Sequence, residues 1–289
     1  MERKGILLAG GRGTRLYPIT SVVSKQLLPI HGKPMIYYSL SIIMLAQIKE
    51  VAIISTPRDL PMYQALLGDG SQFGMSFTYI EQREPEGIAQ AYLLAETFLN
   101  GAPSMLVLGD NILYGDGLGT KLYDAALQND VSTVFGCKVT DPERYGVITF
   151  KNDRPHSIVE KPAQPTSNIA LAGVYFLTSQ ASERAKLLTP SERGELEITS
   201  LLEMYLEEEA LQVQLLGRGF AWLDTGTHNS LSEASEFIRI IETRQNLKVA
   251  CIEEIAYMLG WIDKSKIENI VSEFGNSDYV QYLKSIIDV

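Results

Sequence analysis

The sequence predicts an α/β fold: a Rossmann-like, mainly parallel (mixed) sheet flanked by helices, with an additional β-rich part and C-terminal helices. Three observations predict it. Short apolar runs alternate with helical patterns as far as residue 130, close-spaced strand candidates follow from Val131, and helical patterns dominate beyond Ser230.

In the first part, GILLAG (5 to 10), VAIIST (51 to 56), FTYIEQ (77 to 82) and SMLVLGD (104 to 110) read as buried strands. Pro34 to Gln47, Asp59 to Leu67 and Gly87 to Leu99 read as the helices between them, the first opened by a proline suited to an N-terminal position. That βαβ rhythm implies a mainly parallel sheet, in which ligands sit beyond the carboxyl ends of the strands. Gly10, Gln82 and Asp110 all fall at such ends.

From Val131 the strand candidates STVFGCKV, YGVITF, SIVEKP and IALAGVYFL are separated by Asp-Pro, Asn-Asp and proline-rich turns. A helix over Ile198 to Ala210 ends in Glu207, Glu208 and Glu209, read as a solvated face, and LQVQLLG reads as a further strand. AWLDTGT then leads into a long helix around Ser230 to Gln245. The expected division is 1–250 as the main domain and 251–289 as a C-terminal helical appendage of two or three short segments. Within the first, 1–130 and 131–227 form two parts.

A chain of 289 residues with 45% hydrophobic content buries a sizeable core. A net charge of −10 repels nucleic acid and anionic membranes, so neither is expected as a partner. Arg3, Lys4, Arg12, Arg15 and Lys25 face only Glu2 in the first 25 residues, which concentrates positive charge where a small anion could meet it. Cys137 and Cys251 form no C-x-x-C pattern, which argues against a disulfide framework or zinc site and fits a reducing compartment. The apolar run near the N-terminus is too short for a signal-peptide core, and Met35 to Ile48 falls short of the ~18 residues of a membrane span. A soluble, cytoplasmic protein is expected.

The chemistry begins in AGGRGTR, after the first strand. It is neither a G-x-x-x-x-G-K-[ST] loop nor a full G-x-G-x-x-G fingerprint. Gly10, Gly11 and Gly13 let backbone N–H groups approach an anion closely, with Arg15 as a planar fork and Lys25 as a point charge beside them. Alone, the loop is also compatible with an ordinary strand-to-loop turn.

The longer string GGRGTRLYPIT-x4-KQLLPI-x3-P resembles the signature of sugar-phosphate nucleotidylyltransferases. Gln82 with Gly87, LGDN (108 to 111), DPERYGV (141 to 147), EKP (160 to 162), GELEIT (194 to 199) and AWLDTGTH (221 to 228) follow in the order seen in glucose-1-phosphate thymidylyltransferases. The resemblance covers nearly the whole chain. It implies transfer of a thymidylyl group from dTTP to glucose 1-phosphate, giving dTDP-glucose and pyrophosphate. A phosphomonoester with a second pKa of about 6 is already mostly dianionic at neutral pH, so no general base is needed and the task is to bring two anions together.

By the same resemblance, Leu8, Gly10, Gly11, Gly13, Thr14, Arg15, Lys25, Gln26, Gln82, Gly87 and Asp110 bind the nucleotide. Gln82 pairs its amide with the pyrimidine edge, and Gly87 leaves room for the base or contacts it through its backbone. Asn111, Tyr145, Gly146, Glu160, Lys161, Leu171, Gly173 and Arg193 bind the sugar phosphate, with Glu160 accepting from sugar hydroxyls. Asp110 and Asp224 hold Mg2+, a hard ion that takes few protein oxygens. Arg15, Lys25, Asp110, Lys161 and Asp224 are the implied catalytic set. Ala172 stands where relatives are expected to carry a Thr or similar polar residue, which leaves that wall of the sugar site open.

Thymine and uracil differ by a methyl group, worth roughly 10–200-fold in a pocket, so UTP is expected as a weaker substrate. A UTP- or ATP-using transferase and a non-catalytic sugar-nucleotide sensor are the alternatives; retention of Arg15, Lys25 and both aspartates argues against the sensor. The resemblance further implies a homotetramer built from dimers that feeds deoxysugar synthesis such as rhamnose. Some relatives carry a second, intersubunit nucleotide site, for which Tyr114, Gly115, Arg218 and Glu254 are the positions to inspect. His31, His156 and His228 receive no catalytic role.

Overall fold

The computed structural model describes residues 1–11 and 13–288. Arg12, counted above among the basic residues of the first loop, lies outside the described residues.

Among these residues a nine-stranded mixed sheet forms the centre. In space its main path runs Arg154–Glu160, Gly146–Lys151, Ile169–Leu177, Ser104–Leu108, Lys4–Leu8, Glu50–Ser55, Ser76–Glu81. Lys4–Leu8 pairs in parallel with both of its neighbours, and Glu50–Ser55 in parallel with Ser76–Glu81. Ile169–Leu177 runs antiparallel to everything beside it and also carries a branch, Ser132–Lys138, which pairs in parallel with Leu211–Leu216.

The apolar runs of the central strands are continuous because both faces are covered. Successive side chains on a strand point to opposite sides. Leu7, Ile53 and Val107 enter one buried cluster with the helix Met35–Leu45, while Ile6, Ile54 and Leu106 enter another with Tyr92 and Leu201. Helices Ile252–Met258, Lys264–Phe274 and Asp278–Ile287 contribute Ile252, Ile267, Leu283 and Ile287 to the first cluster. A third cluster joins the long helix His228–Gln245, through Ala234 and Ile238, to Leu28, Ile30, Met35 and Ile112. Thr227 and Ser230 start that helix with a reciprocal capping box, so it begins at His228, slightly earlier than Ser230.

Several details differ from the sequence reading. Gly87 to Leu99 is two short helices, Gln90–Leu94 and Glu96–Leu99, preceded by a loop. The helix Leu118–Leu127 and the paired strands Ile112–Gly115 and Phe220–Leu223 were not anticipated. Arg3 and Lys4 do not add to the charge of the glycine loop. They sit at the opposite end of the first strand, where the buried Arg3 guanidinium donates to the carbonyls of Ser104, Ala126, Gln128 and Leu177, and Lys4 pairs with Glu50 at 3.0 Å. Burial lowers the Arg3 pKa to about 10, still fully charged at neutral pH. The Glu207 to Glu209 run is exposed, as expected. No helix among the described residues is long and apolar enough to cross a membrane.

One feature of the sheet positions the site. Along one edge, Ile169–Leu177 pairs with Gly146–Lys151 only at Ile169 and Ala170, and with Ser104–Leu108 only from Val174 onward. Leu171 to Gly173 are left between the two partners on that edge. The sheet parts there, at the carboxyl end of Ser104–Leu108, as expected for a ligand crevice where strand direction changes.

Candidate active site

A cavity of about 180 Å3 occupies that parting. Leu171 and Gly173 form its floor, Tyr145, Gly146, Glu160 and Lys161 one wall, and Asp110, Asn111, Asp224 and Arg15 the other. Gly173 permits the close approach: a Cβ there would lie 2.2 Å from Asn111 Nδ2 and 2.7 Å from Leu108 Cδ1. Asn111 is buried, and its Oδ1 accepts from Trp222 Nε1 at 2.6 Å, which ties the LGDN turn to the WLDTG strand. Ala172 is fully buried on strand Ile169–Leu177.

The glycine loop folds over the end of the first strand. Gly11 and Gly13 have φ of +98° and +58°, the left-handed region that glycine enters without Cβ strain. The Leu8 carbonyl accepts from Gly109 N at 2.8 Å, fastening the first strand to the LGDN turn. Three-ten turns at Thr14–Leu16 and Lys25–Leu27 then aim the two cations. Arg15 reaches the cavity, and Lys25 Nζ donates to Asp110 Oδ2 at 2.5 Å. Gly11 and Thr14 line an adjoining hollow of about 660 Å3 with Thr56 and Arg83. Gln26 is buried beneath the loop, its Nε2 donating to the Gly10 carbonyl at 3.4 Å and its Oε1 accepting from Ser24 at 2.8 Å.

Gln82 follows the edge strand Ser76–Glu81, almost wholly buried, with its side-chain oxygen toward Gly10. The space a Cβ would take on Gly87 is filled by the Leu196 backbone, whose oxygen would lie 2.4 Å away, and Gly87 has φ of +108°. Glu86, just before it, and Ala89, two residues after it, exchange backbone bonds with Leu196.

On the sugar side, Lys161 has φ of +39°, uncommon for a residue with a side chain, and its N–H donates to the Tyr145 carbonyl at 3.0 Å. Its ammonium stands 3.3 Å from Glu160 Oε1. Arg193 does not line the cavity; its guanidinium donates to Glu160, Glu195 and Glu197, so it backs Glu160 from behind. Burial, with the Asp224 charge added, pushes the Tyr145 phenol up to about 12, so it is a hydroxyl at neutral pH.

Arg144 lines the cavity as well, and nothing in the sequence reading singled it out. It donates to Asp141 Oδ2 at 2.6 Å and to Asp224 Oδ2, with its guanidinium 5.3 Å from the centre of the Tyr145 ring. The available signal was its place in DPERYGV, directly before Tyr145. Trp222, packed on Tyr145 with ring centroids 4.9 Å apart, was likewise unnamed although it lies in the quoted AWLDTGT.

Asp110 and Asp224 share one cavity and offer hard carboxylate oxygens, each currently matched by a cationic side chain, Lys25 and Arg144 respectively. Among the described residues no group of three His, Cys, Asp or Glu gathers to cage a metal. That donor set fits an ion held by few protein ligands and completed by phosphate and water.

Of the four positions considered for a second site, Tyr114 and Gly115 line a separate hollow of about 500 Å3 with Gln245 and Lys248. Tyr114 donates to Gln245 Oε1 at 2.5 Å. Glu254 instead accepts from Tyr282 at 2.8 Å, and Arg218 lies in the turn before the strand Phe220–Leu223.

The family model "Nucleotidyl transferase" matches residues 4–240. The chain is 52% identical to a glucose-1-phosphate thymidylyltransferase of Xanthomonas campestris pv. campestris, over 99% of this chain and 97% of that one. It is 46% identical to one of Mycolicibacterium smegmatis, over 99% of both chains. A candidate glucose-1-phosphate thymidylyltransferase from Bacillus anthracis, solved with sucrose, superposes with a TM-score of 0.76 at 39% identity, covering 82% of this chain and 95% of that one. A UDP-glucose pyrophosphorylase solved with UDP-glucose, 24% identical, shares the fold with a TM-score of 0.74 over 83% of this chain and 99% of that one. With a matching sheet, a full-length match to these relatives and the family model spanning most of its residues, the chain belongs to the nucleotidyl transferase family.

Proposed function

We propose that the chain is a glucose-1-phosphate thymidylyltransferase, transferring a thymidylyl group from dTTP to α-D-glucose 1-phosphate with release of pyrophosphate. The observation that carries this is the near-complete match, at 52% identity, to relatives of that activity, in a chain where one cavity at the sheet parting is lined by Arg15, Asp110, Lys161 and Asp224 together.

The reaction needs an oxygen of the sugar phosphate to attack the α-phosphorus in line while the bond to pyrophosphate breaks. Two anions must approach, so the protein's part is positioning and charge neutralisation. Arg15 and Lys25 hold the triphosphate, Lys161 holds the sugar phosphate, and Glu160, braced by Arg193, accepts from sugar hydroxyls. The Tyr145 hydroxyl remains a donor at neutral pH and serves the same pocket. Gln82 reads the pyrimidine edge. Members of the family generally use a divalent metal; here Asp110 and Asp224 would hold Mg2+, whose chemistry when bound is to neutralise the phosphates that meet between them.

The same reading treats 1–130 as the nucleotide part, 131–227 as the sugar-phosphate part and 251–289 as an appendage, and takes a homotetramer as the assembly. Light scattering on the purified chain tests the assembly. Incubation with dTTP, glucose 1-phosphate and Mg2+ tests the activity, and absence of pyrophosphate release overturns it.

A further inference from the structure

Gln82 and Gln90 face each other in the nucleotide half, and three hydrogen bonds give each amide a single orientation. The ends of an amide are told apart by their partners: a backbone N–H only donates and a carboxylate only accepts. Glu86 N donates to Gln90 Oε1 at 3.1 Å, and Gln90 Nε2 donates to Glu86 Oε2 at 2.8 Å, so the orientation of Gln90 is set at both ends. Its Oε1 therefore requires a donor from Gln82, whose Nε2 approaches to 2.7 Å. Gln82 Oε1 is left on the side of the glycine loop, where a Cβ on Gly10 would come within 1.9 Å of it. The reference frame is itself clamped, since Leu196 N donates to Glu86 O at 2.7 Å and Ala89 N to Leu196 O at 3.1 Å.

That orientation has a chemical consequence, resting on the reading that Gln82 meets the base. A carboxamide offers an acceptor and a donor side by side. Thymine and uracil present N3–H, a donor, beside a carbonyl acceptor, and match an amide whose oxygen faces N3. Cytosine presents N3 as an acceptor beside its N4 amino donor and matches the same amide only after it flips. A freely rotating Gln82 serves either base with the same number of bonds. We infer that Gln90 is a base-selecting positioning residue: by holding the Gln82 amide in one flip, it admits imide pyrimidines and turns cytosine nucleotides away. Flipping Gln82 against Gln90 breaks a buried bond and sets two oxygens face to face, a penalty equivalent to about 10–100-fold.

The test is the ratio of kcat/KM for dTTP over dCTP, read by pyrophosphate release, in the full-length protein and its variants. Gln90→Met removes the lock, and the ratio is expected to fall about 10–100-fold. Gln90→Lys puts a donor opposite Gln82 and beside the Glu86 carboxylate, favouring the flipped amide, so the ratio falls at least as far. Either variant suffices if the other does not fold. A merely structural defect lowers both nucleotides together and leaves the ratio alone; that result in every Gln90→Met or Gln90→Lys variant that folds overturns the lock. Gln82→Ala separates the two claims. If it erases the selectivity while the Gln90 variants do not, only the lock fails; if it too leaves the ratio unchanged, the reading of Gln82 itself fails.

Discussion

Lys25 and Asp110, 85 residues apart in the chain, meet at 2.5 Å with the lysine side chain largely buried. The contact joins the segment after the glycine loop to the end of the central strand and puts a cation and an anion where the proposed reaction would neutralise phosphates. Asp110→Asn keeps the shape and removes the charge. Loss of one charge-stabilising group commonly lowers a rate by ~10²–10³, and turnover with dTTP and glucose 1-phosphate is expected to fall by that order with the melting temperature preserved. Near-normal turnover would remove Asp110 from the chemistry.

Arg144 occupies a carboxylate oxygen of Asp224, one of the two residues proposed to hold Mg2+. Asp141 first, with the Asp224 charge added, raises the Arg144 pKa, so the guanidinium stays charged. Its side chain is about a third exposed, at 35%, and pairs of that kind are worth roughly 0.2–1 kcal/mol. Arg144→Met is therefore expected to tighten Mn2+ or Mg2+ binding, measured by calorimetry on the free protein, by no more than about fivefold. Weaker binding in the variant would mean that Arg144 helps to assemble the site and does not guard it.

The contrast between Arg144 and Arg3 shows what the sequence could carry. Apolar runs such as Leu106 and Val107 were legible because both faces of the strand are buried, and the Asp, Lys and Gly positions of the site were legible from the order of their motifs. Charge in one dimension was not: Arg3 looked like part of an anion-binding loop, yet a strand of five residues carries it to the far end of the sheet. The pairing of Ile112–Gly115 with Phe220–Leu223 joins segments about a hundred residues apart, and neither strand is long enough to show a pattern alone. Leu118, Leu122 and Ala125 carry helical spacing, so that helix is legible in the sequence. Gln90, a neutral residue opening a short helix, gives no signal until Gln82 and Glu86 are seen around it.

Lys33 and Glu242 form the most buried ion pair described, at 2.6 Å with side chains 1% and 3% exposed, and they fasten the long helix to the Pro29–Pro34 hairpin. Burial pushes the Lys33 ammonium below its usual value, with Glu242 opposing; burial is also the largest single effect on Glu242 and works against its charge, but the bonds and charges of Lys33 and Lys248 together outweigh it and hold that carboxyl below its usual range. Removing one partner of such a pair leaves a buried charge and costs ~3–5 kcal/mol. Lys248, at 3.0 Å, and the Val249 N–H remain on Glu242, so Lys33→Met is expected near the lower end, about 3 kcal/mol by chemical denaturation. A loss well under 1 kcal/mol would show that Lys248 alone satisfies the carboxylate.

Glu253 makes a prediction about pH. It is buried where the helix Ile252–Met258 meets Asp278–Ile287, accepting from the Tyr279 hydroxyl and, weakly, from Cys251 Sγ at 3.8 Å. Burial raises its pKa above the usual carboxyl value, with the Tyr279 bond and the Lys33 charge pulling the other way. Between the ordinary value of about 4.3 and the raised one, the unfolded chain has released this proton and the folded chain still holds it. The folded state then binds more protons, so this group's contribution to stability declines as pH rises through that window. Glu253→Gln keeps an acceptor for Tyr279 and has no proton to lose. The melting temperature of the variant relative to the parent is expected to increase from pH 4 to pH 7, while the same offset at both pH values would mean that the fold does not raise the Glu253 pKa above its value in the unfolded chain.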